Sequence, residues 1–203
     1  MDISDESNDD SNNIIKVILV GDSGTGKTNL ITVSAGFPFN SKLLSTTSCS
    51  YVQKIIKKNG KEYKLNLWDT IGQEKYRSLT KIFLKGSKIV IFVYDISNKK
   101  SFQSLEFWKK IIDDNVGSEL VYGIVGNKID LYYKEEVNED EAEAYSKKIG
   151  AKFLLTSAKT DSQSFIKFIE EISYDYIRKN NGEEIIESIV IKSGHKKKHT
   201  SCC

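Results

Sequence analysis

Cysteines are few in this sequence, and their positions give no pattern that would hold a fold together. There are three in 203 residues: Cys49 stands alone, and Cys202 and Cys203 are adjacent at the end of the sequence. This arrangement excludes a disulfide framework and the ligand spacing of a zinc site, and it indicates a reducing compartment. The core must therefore form by packing, which a domain of about 150 residues achieves by burying roughly 70% of its unfolded surface.

Long apolar runs and a large net charge are also absent. No amino-terminal apolar segment resembles a secretion signal, and no run is long enough to cross a bilayer. The formal net charge is only +2, so the composition predicts a soluble globular domain without a nucleic-acid partner. Contact with a membrane would then require an anchor.

The order of apolar runs predicts the fold class. Short runs alternate with longer segments of helical period, which is typical of an α/β domain with a mostly parallel sheet. Asn59 and Gly60, between the second and third runs, predict a hairpin and hence one antiparallel edge strand. Asn138 and Glu141 fit a capping box at the start of a helix. We predict strands at 14–20, 50–58, 62–68, 88–94, 120–126 and 152–155, and further helices at 101–115 and 161–179.

The two ends differ in composition from the part between them. Residues 1–13 contain five acidic residues and no basic one, so they cannot bury enough apolar surface to offset the entropy cost of ordering. We predict a disordered acidic arm at 1–13, one globular domain at 14–180 and a flexible tail at 181–203.

A glycine-rich loop follows the first apolar run and precedes residues that can start a helix. Glycines let the backbone approach an anion, successive N–H groups converge on it, and the following helix adds its positive end. A lysine there reaches the outer phosphates of a nucleotide, and a threonine hydroxyl is a ligand for its Mg²⁺. A flexible surface turn is the alternative, which the strand, loop and helix context disfavours. The predicted phosphate-binding residues are Gly21, Asp22, Ser23, Gly24, Thr25, Gly26, Lys27 and Thr28.

Further polar motifs follow three later apolar runs, at the ends of strands where open α/β sheets bind ligands. Asp69 is the predicted acidic partner of Thr28 at Mg²⁺. Gly72 can offer a backbone N–H to a terminal phosphate, and Gln73 can orient an attacking water. An isolated Asp-x-x-Gly is also common in simple turns, so the motif gains its meaning from the phosphate-binding loop.

The segment from Asn127 to Asp130 is predicted to select the base. An aspartate accepts two hydrogen bonds from the ring N–H and exocyclic amine of guanine, whereas adenine lacks this pair of donors. Asn127 can brace the neighbouring loops, and the stem of Lys128 can cover the base plane. The segment formed by Ser157, Ala158 and Lys159 would place a backbone N–H near the guanine oxygen. A solvated turn is the alternative interpretation of each motif taken alone.

These motifs together resemble the Ras superfamily of small GTPases, and within it the Rab family. The strings GDSGTGKT (21–28), WDTIGQE (68–74), NKID (127–130) and TSAK (156–159) occur in the family's order and spacing. The strings KLNLW (64–68), KYRSLT (75–80) and YDISN (94–98) are similar to Rab signatures. The resemblance covers residues 14 to about 180, and it implies a P-loop NTPase fold with a six-stranded, mostly parallel sheet and helices on both faces.

The resemblance also implies roles for individual residues. Thr46 is identified as the switch I threonine that closes on Mg²⁺ and the γ-phosphate, Phe39 as the aromatic beside the base, and Gln73 as the catalytic glutamine. GTP would hold Thr46 and Gly72 and order two loops, which relax after hydrolysis. The implied partners are effectors, an exchange factor, an activating protein that supplies an arginine, a Rab escort protein and a GDP dissociation inhibitor, each acting on a monomer.

Two departures from the family pattern bear on this interpretation. Switch I has Thr47, Ser48, Cys49 and Ser50 where Rab chains usually have Ile-Gly-Val-Asp, which puts the usual effectors in doubt. Ile71 replaces a small alanine before Gly72. A β-branched side chain there would hinder the closure that places Gln73, so we hypothesise slow intrinsic hydrolysis.

The end of the sequence resembles a Rab anchor. Lys196, Lys197 and Lys198 precede Cys202 and Cys203, and the resemblance implies that both cysteines carry geranylgeranyl groups. Two lipid chains, or one chain with basic residues, hold a protein on a membrane, whereas one chain alone is marginal. The implied location is the cytoplasmic face of a membrane, in exchange with the cytosol; two free thiols on a disordered tail are the alternative.

Three functions remain to be separated. The first is a Rab-like GTPase that hydrolyses GTP and regulates vesicle and membrane traffic. The second is a nucleotide-locked interaction module with little hydrolysis, which Ile71 and the unusual switch I favour. The third is a P-loop kinase of small nucleotides, which the guanine-selective NKID motif and the lack of an arginine-rich lid segment disfavour.

Overall fold

A computed structural model describes residues 13–41, 50–69, 84–116 and 119–181. Apolar runs rich in β-branched residues form the first, fourth and fifth strands, whereas polar residues alternate with apolar ones in the second and third. The bounds of all six lie close to the predicted ones. The strands are β1 (Ile14–Val20), β2 (Ser50–Lys58), β3 (Lys61–Asp69), β4 (Ile89–Asp95), β5 (Val121–Asn127) and β6 (Ala151–Leu155).

The strands form one sheet in the order β2, β3, β1, β4, β5, β6. Only the pair β2 and β3 is antiparallel, and the remaining neighbours are parallel. In the turn between these two strands Asn59 has φ 52° and Gly60 has φ 76°, so both central residues are left-handed, as a two-residue hairpin of this twist requires. The structure confirms the predicted fold class, including the antiparallel edge strand.

Helices cover both faces of the sheet. Leu30 and Phe165 lie with Val17 in one apolar cluster, and Phe102 and Ala142 lie with Ile18 in the other. Alternate residues of β1 thus point to opposite layers, as expected of a strand buried on both sides. No helix among the described residues has the length and apolar character needed to span a membrane. The α-helices of the described part are α1 (Lys27–Ser34), α2 (Lys99–Asn115), α3 (Glu139–Lys148) and α4 (Ser162–Asn180), and a 3₁₀ helix spans Ile129–Lys134.

The predicted bounds differ from the observed ones in a few places with identifiable causes. Strands β4 and β5 extend to Asp95 and Asn127, because these two polar residues still pair with each other across the sheet. Helix α2 begins two residues earlier than predicted, because the Asn98 side chain accepts from the backbone N–H groups of Lys100 and Ser101.

The predicted capping box forms only in part. The Asn138 side chain accepts a hydrogen bond from the backbone N–H of Asp140 and so caps α3. The Glu141 carboxylate instead forms an ion pair with Lys99 at the start of α2. A tertiary partner has therefore replaced the local reciprocal bond that the sequence pattern predicted.

Candidate functional site

The loop after β1 has the shape that a close anion-binding backbone requires. Gly21 has φ 146°, and a Cβ atom there would lie 2.1 Å from the Val93 carbonyl oxygen of the neighbouring strand. Gly26 has φ 94°, and a Cβ atom there would lie 2.3 Å from Nδ2 of Asn127. No side chain fits at either position, so the loop passes against β4 on one side and the end of β5 on the other.

Lys27, the first residue of α1, is almost fully buried at the base of this loop. Its ammonium group donates to the carbonyl oxygens of Gly21 and Asp22, each at 2.8 Å. Burial lowers the pKa of the Lys27 ammonium from 10.5 to about 8, against the opposing charges of Asp69 and Asp22. The cation is thus held inside the loop by carbonyl oxygens, where its charge can act on an anion.

Thr28 and Asp69 meet at the mouth of the same loop. The Thr28 hydroxyl donates to Oδ2 of Asp69 at 2.7 Å, and Asp69 is only 2% exposed at the end of β3. Hydroxyl and carboxylate oxygens are hard ligands of the kind that Mg²⁺ prefers, and Mg²⁺ takes few protein ligands when phosphates and water supply the rest. The pair therefore fits the Mg²⁺ site that the sequence predicts.

Asn127 joins the glycine loop to the segment after β6. Its Nδ2 donates to the Thr25 carbonyl oxygen at 2.8 Å, and its Oδ1 accepts from the backbone N–H of Ala158 at 3.1 Å. Asn127 is 1% exposed, and these bonds satisfy both ends of its amide. Three loops far apart in sequence are thus held together by one side chain, as the sequence predicted for a bracing asparagine.

The Asp130 carboxylate is oriented by the segment after β6. Oδ1 accepts from the Ser157 hydroxyl at 2.6 Å, and the Lys159 ammonium lies 3.9 Å from Oδ2. Ser157 itself is fixed because its oxygen accepts from the backbone N–H groups of Lys159 and Thr160. A carboxylate held in this way can present oxygen atoms to a pair of N–H donors with little loss of rotamer freedom.

Lys128 has a left-handed backbone, with φ 70°, and its side chain is held by a residue that the sequence analysis did not select. Its ammonium lies 2.6 Å from Oδ2 of Asp95, whose Oδ1 accepts from the backbone N–H and the hydroxyl of Ser97. Asp95 is the last residue of β4, the same strand position that identified Asp69 and Asn127. That signal could have found it.

Asn29 fixes the segment that contains Phe39, and the sequence analysis missed this contact as well. Its Nδ2 donates to the Asn40 carbonyl oxygen and its Oδ1 accepts from the Asn40 N–H, both at 3.1 Å. Phe39 is 37% exposed, so one part of its ring remains available to a ligand. No periodic pattern marks such a reciprocal amide contact.

The site described so far combines a glycine loop, a buried lysine, a hydrogen-bonded pair of threonine and aspartate, and an oriented carboxylate at one edge of the sheet. The residues Thr46, Ile71, Gly72, Gln73, Cys49, Cys202 and Cys203 lie outside the described part of the chain, as do residues 1–12 and 182–203. The fold and the described residues define a P-loop nucleotide-binding protein of the α/β class.

Comparison with known proteins gives the family. A model of the Ras family matches residues 16–175. The Ras-related protein Rab-8 of Diplobatis ommata is 34% identical over 188 residues, covering 91% of this chain and 90% of that protein. SEC4 of Saccharomyces cerevisiae is 34% identical over 198 residues, covering 94% and 91%, and YPTC6 of Chlamydomonas reinhardtii is 33% identical over 215 residues, covering 99% and 100%.

The chain therefore belongs to the Ras family, as a Rab-like small GTPase. It is a GTP hydrolase that acts in vesicle traffic. Like members of this family in general, it binds GTP, GDP and Mg²⁺ and interacts with regulatory partners. It also associates with membranes in a cycle. The predicted family, fold class and activity are confirmed. The nucleotide-locked module and the small-nucleotide kinase are not favoured.

Proposed function

We propose that this GTPase binds the phosphates of its nucleotide with residues 21–28. The support is that Lys27 is buried with its ammonium among loop carbonyls, while Gly21 and Gly26 leave the backbone uncovered. A nucleotide would offer the ammonium phosphate oxygens in place of carbonyl oxygens. Thr28 and Asp69 would hold the Mg²⁺, which neutralises phosphate charge during hydrolysis, and the hydrogen bond between them supports their placement at one ion.

The base is proposed to bind between Lys128 and the loops that Asn127 joins. Asp130 would accept the two guanine N–H donors, and the segment formed by Ser157, Ala158 and Lys159 would place a backbone N–H near the guanine oxygen. The observation that carries this proposal is the orientation of the Asp130 carboxylate by Ser157 at 2.6 Å. Adenine lacks this pair of donors, so the carboxylate would lose contact with water at the base without gaining hydrogen bonds in return.

The switch is proposed to depend on residues outside the described part of the chain. Thr46 and Gly72 would contact the γ-phosphate of GTP, and these contacts would be lost after hydrolysis. Gln73 would orient the attacking water. Phe39 would lie beside the base, and its segment is already fixed by Asn29. Partners that bind the GTP form more tightly than the GDP form would shift the population towards the GTP form. The shift can be no larger than their difference in affinity for the two states.

The expected hydrolysis rates test this assignment. We expect purified protein with Mg²⁺ to hydrolyse bound GTP slowly in a single turnover, and Gln73→Leu to be slower by about tenfold or more, because the attacking water loses its orienting group. Ile71→Ala should be faster than wild type, since closure over the γ-phosphate is less hindered. Phosphate release from preloaded protein measures all three.

Nucleotide retention distinguishes a failed catalytic assignment from a failed fold. All three proteins should retain bound guanine nucleotide to the same extent through gel filtration. Equal hydrolysis by wild type and Gln73→Leu would contradict the role of Gln73. An unchanged rate in Ile71→Ala would remove the hypothesis of hindered closure.

Membrane attachment is proposed to use geranylgeranyl groups on Cys202 and Cys203, with Lys196–Lys198 adding attraction to an anionic leaflet. This places a monomer on the cytoplasmic face of a membrane. A Rab escort protein would first deliver it to the membrane, and a GDP dissociation inhibitor would later return it to the cytosol. An exchange factor, an activating protein and effectors complete the proposed set of partners.

The lipid proposal predicts a defined mass. Protein isolated from its native cells should give a carboxyl-terminal peptide carrying two geranylgeranyl groups, and replacing both Cys202 and Cys203 by serine should move the protein from membrane to soluble fractions. Replacing Cys49 by serine is the matched control and should leave the membrane fraction unchanged. Unmodified thiols in the native peptide would overturn the anchor.

A further inference from the structure

Asp22 puts a negative charge inside the loop that is proposed to bind phosphates. It directly follows Gly21 and precedes the residues whose N–H groups would surround the phosphates. Like charges at close range oppose each other strongly where water is partly excluded. A carboxylate at this position is therefore compatible with a bound nucleotide only if its side chain is held away from the phosphates.

The structure shows what holds it. The indole N–H of Trp108 donates to Oδ1 of Asp22 at 2.9 Å, across 86 residues of sequence. Trp108 is 4% exposed in helix α2, where its ring packs in the same apolar cluster as Leu105 and Ile112. Because the packed helix fixes the ring, the direction of its one N–H group is fixed too. The carboxylate is thereby drawn towards α2.

The main chain of Asp22 belongs to the same arrangement. Its carbonyl oxygen accepts from the Lys27 ammonium at 2.8 Å and from the Thr25 hydroxyl at 3.0 Å. Rotation of the Asp22 side chain into the loop would bring its negative charge close to the Lys27 ammonium. The carboxylate would then compete with the phosphates for that ammonium. The indole bond thus protects both the anion and its cation from the carboxylate.

We propose that Trp108 is a positioning residue for nucleotide retention, which acts by holding the Asp22 carboxylate on the α2 side of the phosphate-binding loop. This inference rests on the proposed role of residues 21–28. It makes α2 part of the nucleotide site although none of the predicted site residues lies on that helix.

Release of a fluorescent GDP analogue from the full-length protein tests the proposal as a double-mutant cycle. Trp108→Phe keeps an apolar ring but removes the N–H donor, and we expect release about tenfold faster, since one hydrogen bond to a charged acceptor is lost. In an Asp22→Ala background the same change should alter release by less than about twofold, because no carboxylate remains to be held. Asp22→Glu, which leaves the core intact and displaces the carboxylate by one methylene, should also speed release.

Controls separate positioning from packing. Ile112→Val removes a buried methylene from the same helix, and it should leave the release rate at the wild-type value although melting temperature falls slightly. Unchanged release in Trp108→Phe, whatever the rate of Asp22→Glu, or equal acceleration by Trp108→Phe with and without Asp22, would overturn the proposal. Absence of guanine nucleotide binding by the wild-type protein would instead overturn the proposed function, and this inference with it.

Discussion

Replacement of Asp130 by alanine is expected to weaken GDP and GTP binding by roughly 10²–10⁴-fold, because two hydrogen bonds to a charged acceptor contribute about 1.5–3 kcal/mol each. The preference for guanine over adenine nucleotides should fall together with the affinity. Adenine nucleotides lose no hydrogen bonds when the carboxylate is removed, and they no longer meet a carboxylate that they cannot satisfy. Calorimetric titration with GDP and ADP, each with Mg²⁺, measures both effects.

Two further variants show whether the effect belongs to the oriented carboxylate. Ser157→Ala keeps the charge of Asp130 but removes the hydroxyl that donates to it at 2.6 Å, so we expect a smaller loss of about tenfold. Asp114→Ala removes an exposed carboxylate of α2 and should bind GDP like wild type. A GDP affinity in Asp130→Ala equal to that of wild type would show that another group reads the base.

The sequence allowed much of this site to be predicted because its polar motifs stand at strand ends. Asp69 and Asn127 are the last residues of their strands, and the glycine loop and Ser157 follow theirs closely. In a parallel sheet these ends lie at one edge, so strand order alone brings the side chains together. Strands β1, β4 and β5 were predictable for a related reason, since a strand buried on both faces is a nearly continuous apolar run, whereas the turn at Asn59 and Gly60 indicated the pair β2 and β3.

The contacts that the sequence did not reveal are those between polar groups on different elements. Trp108 lies in a helix that the sequence predicted, but the helical pattern carried no information that its N–H reaches Asp22, 86 residues away. Asp95 appeared only as part of a family string, and its ion pair with Lys128 depends on the adjacency of β4 and β5. Glu141 was assigned to a local cap and instead pairs with Lys99. Periodicity predicts which side of an element is buried, whereas a polar partner depends on the tertiary arrangement.

Gly26→Ala is expected to lower guanine nucleotide affinity by about a hundredfold or more, through Asn127. Gly26 has φ 94°, which an alanine adopts at a cost of about 1–2 kcal/mol, and the added Cβ would lie 2.3 Å from Nδ2 of Asn127. Asn127 must then move, and it loses its bond to the Thr25 carbonyl at 2.8 Å or its bond to the Ala158 N–H at 3.1 Å. Either loss separates the phosphate-binding loop from the base-binding segments. Equilibrium titration with GDP and Mg²⁺ gives the affinity.

Gly36→Ala isolates the cost of the backbone conformation. Gly36 has a similar φ of 87°, but a Cβ atom there meets nothing within 4 Å, so the variant carries the strain without the clash. We expect its melting temperature to fall by a few degrees, since about 1 kcal/mol corresponds to roughly 2–4 °C in a domain of this size, while its GDP affinity stays at the wild-type value. If both variants lost the same affinity, or neither did, the displacement of Asn127 would not be the cause. A loss confined to Gly26→Ala would show that nucleotide binding depends on one asparagine joining the loops after β1, β5 and β6.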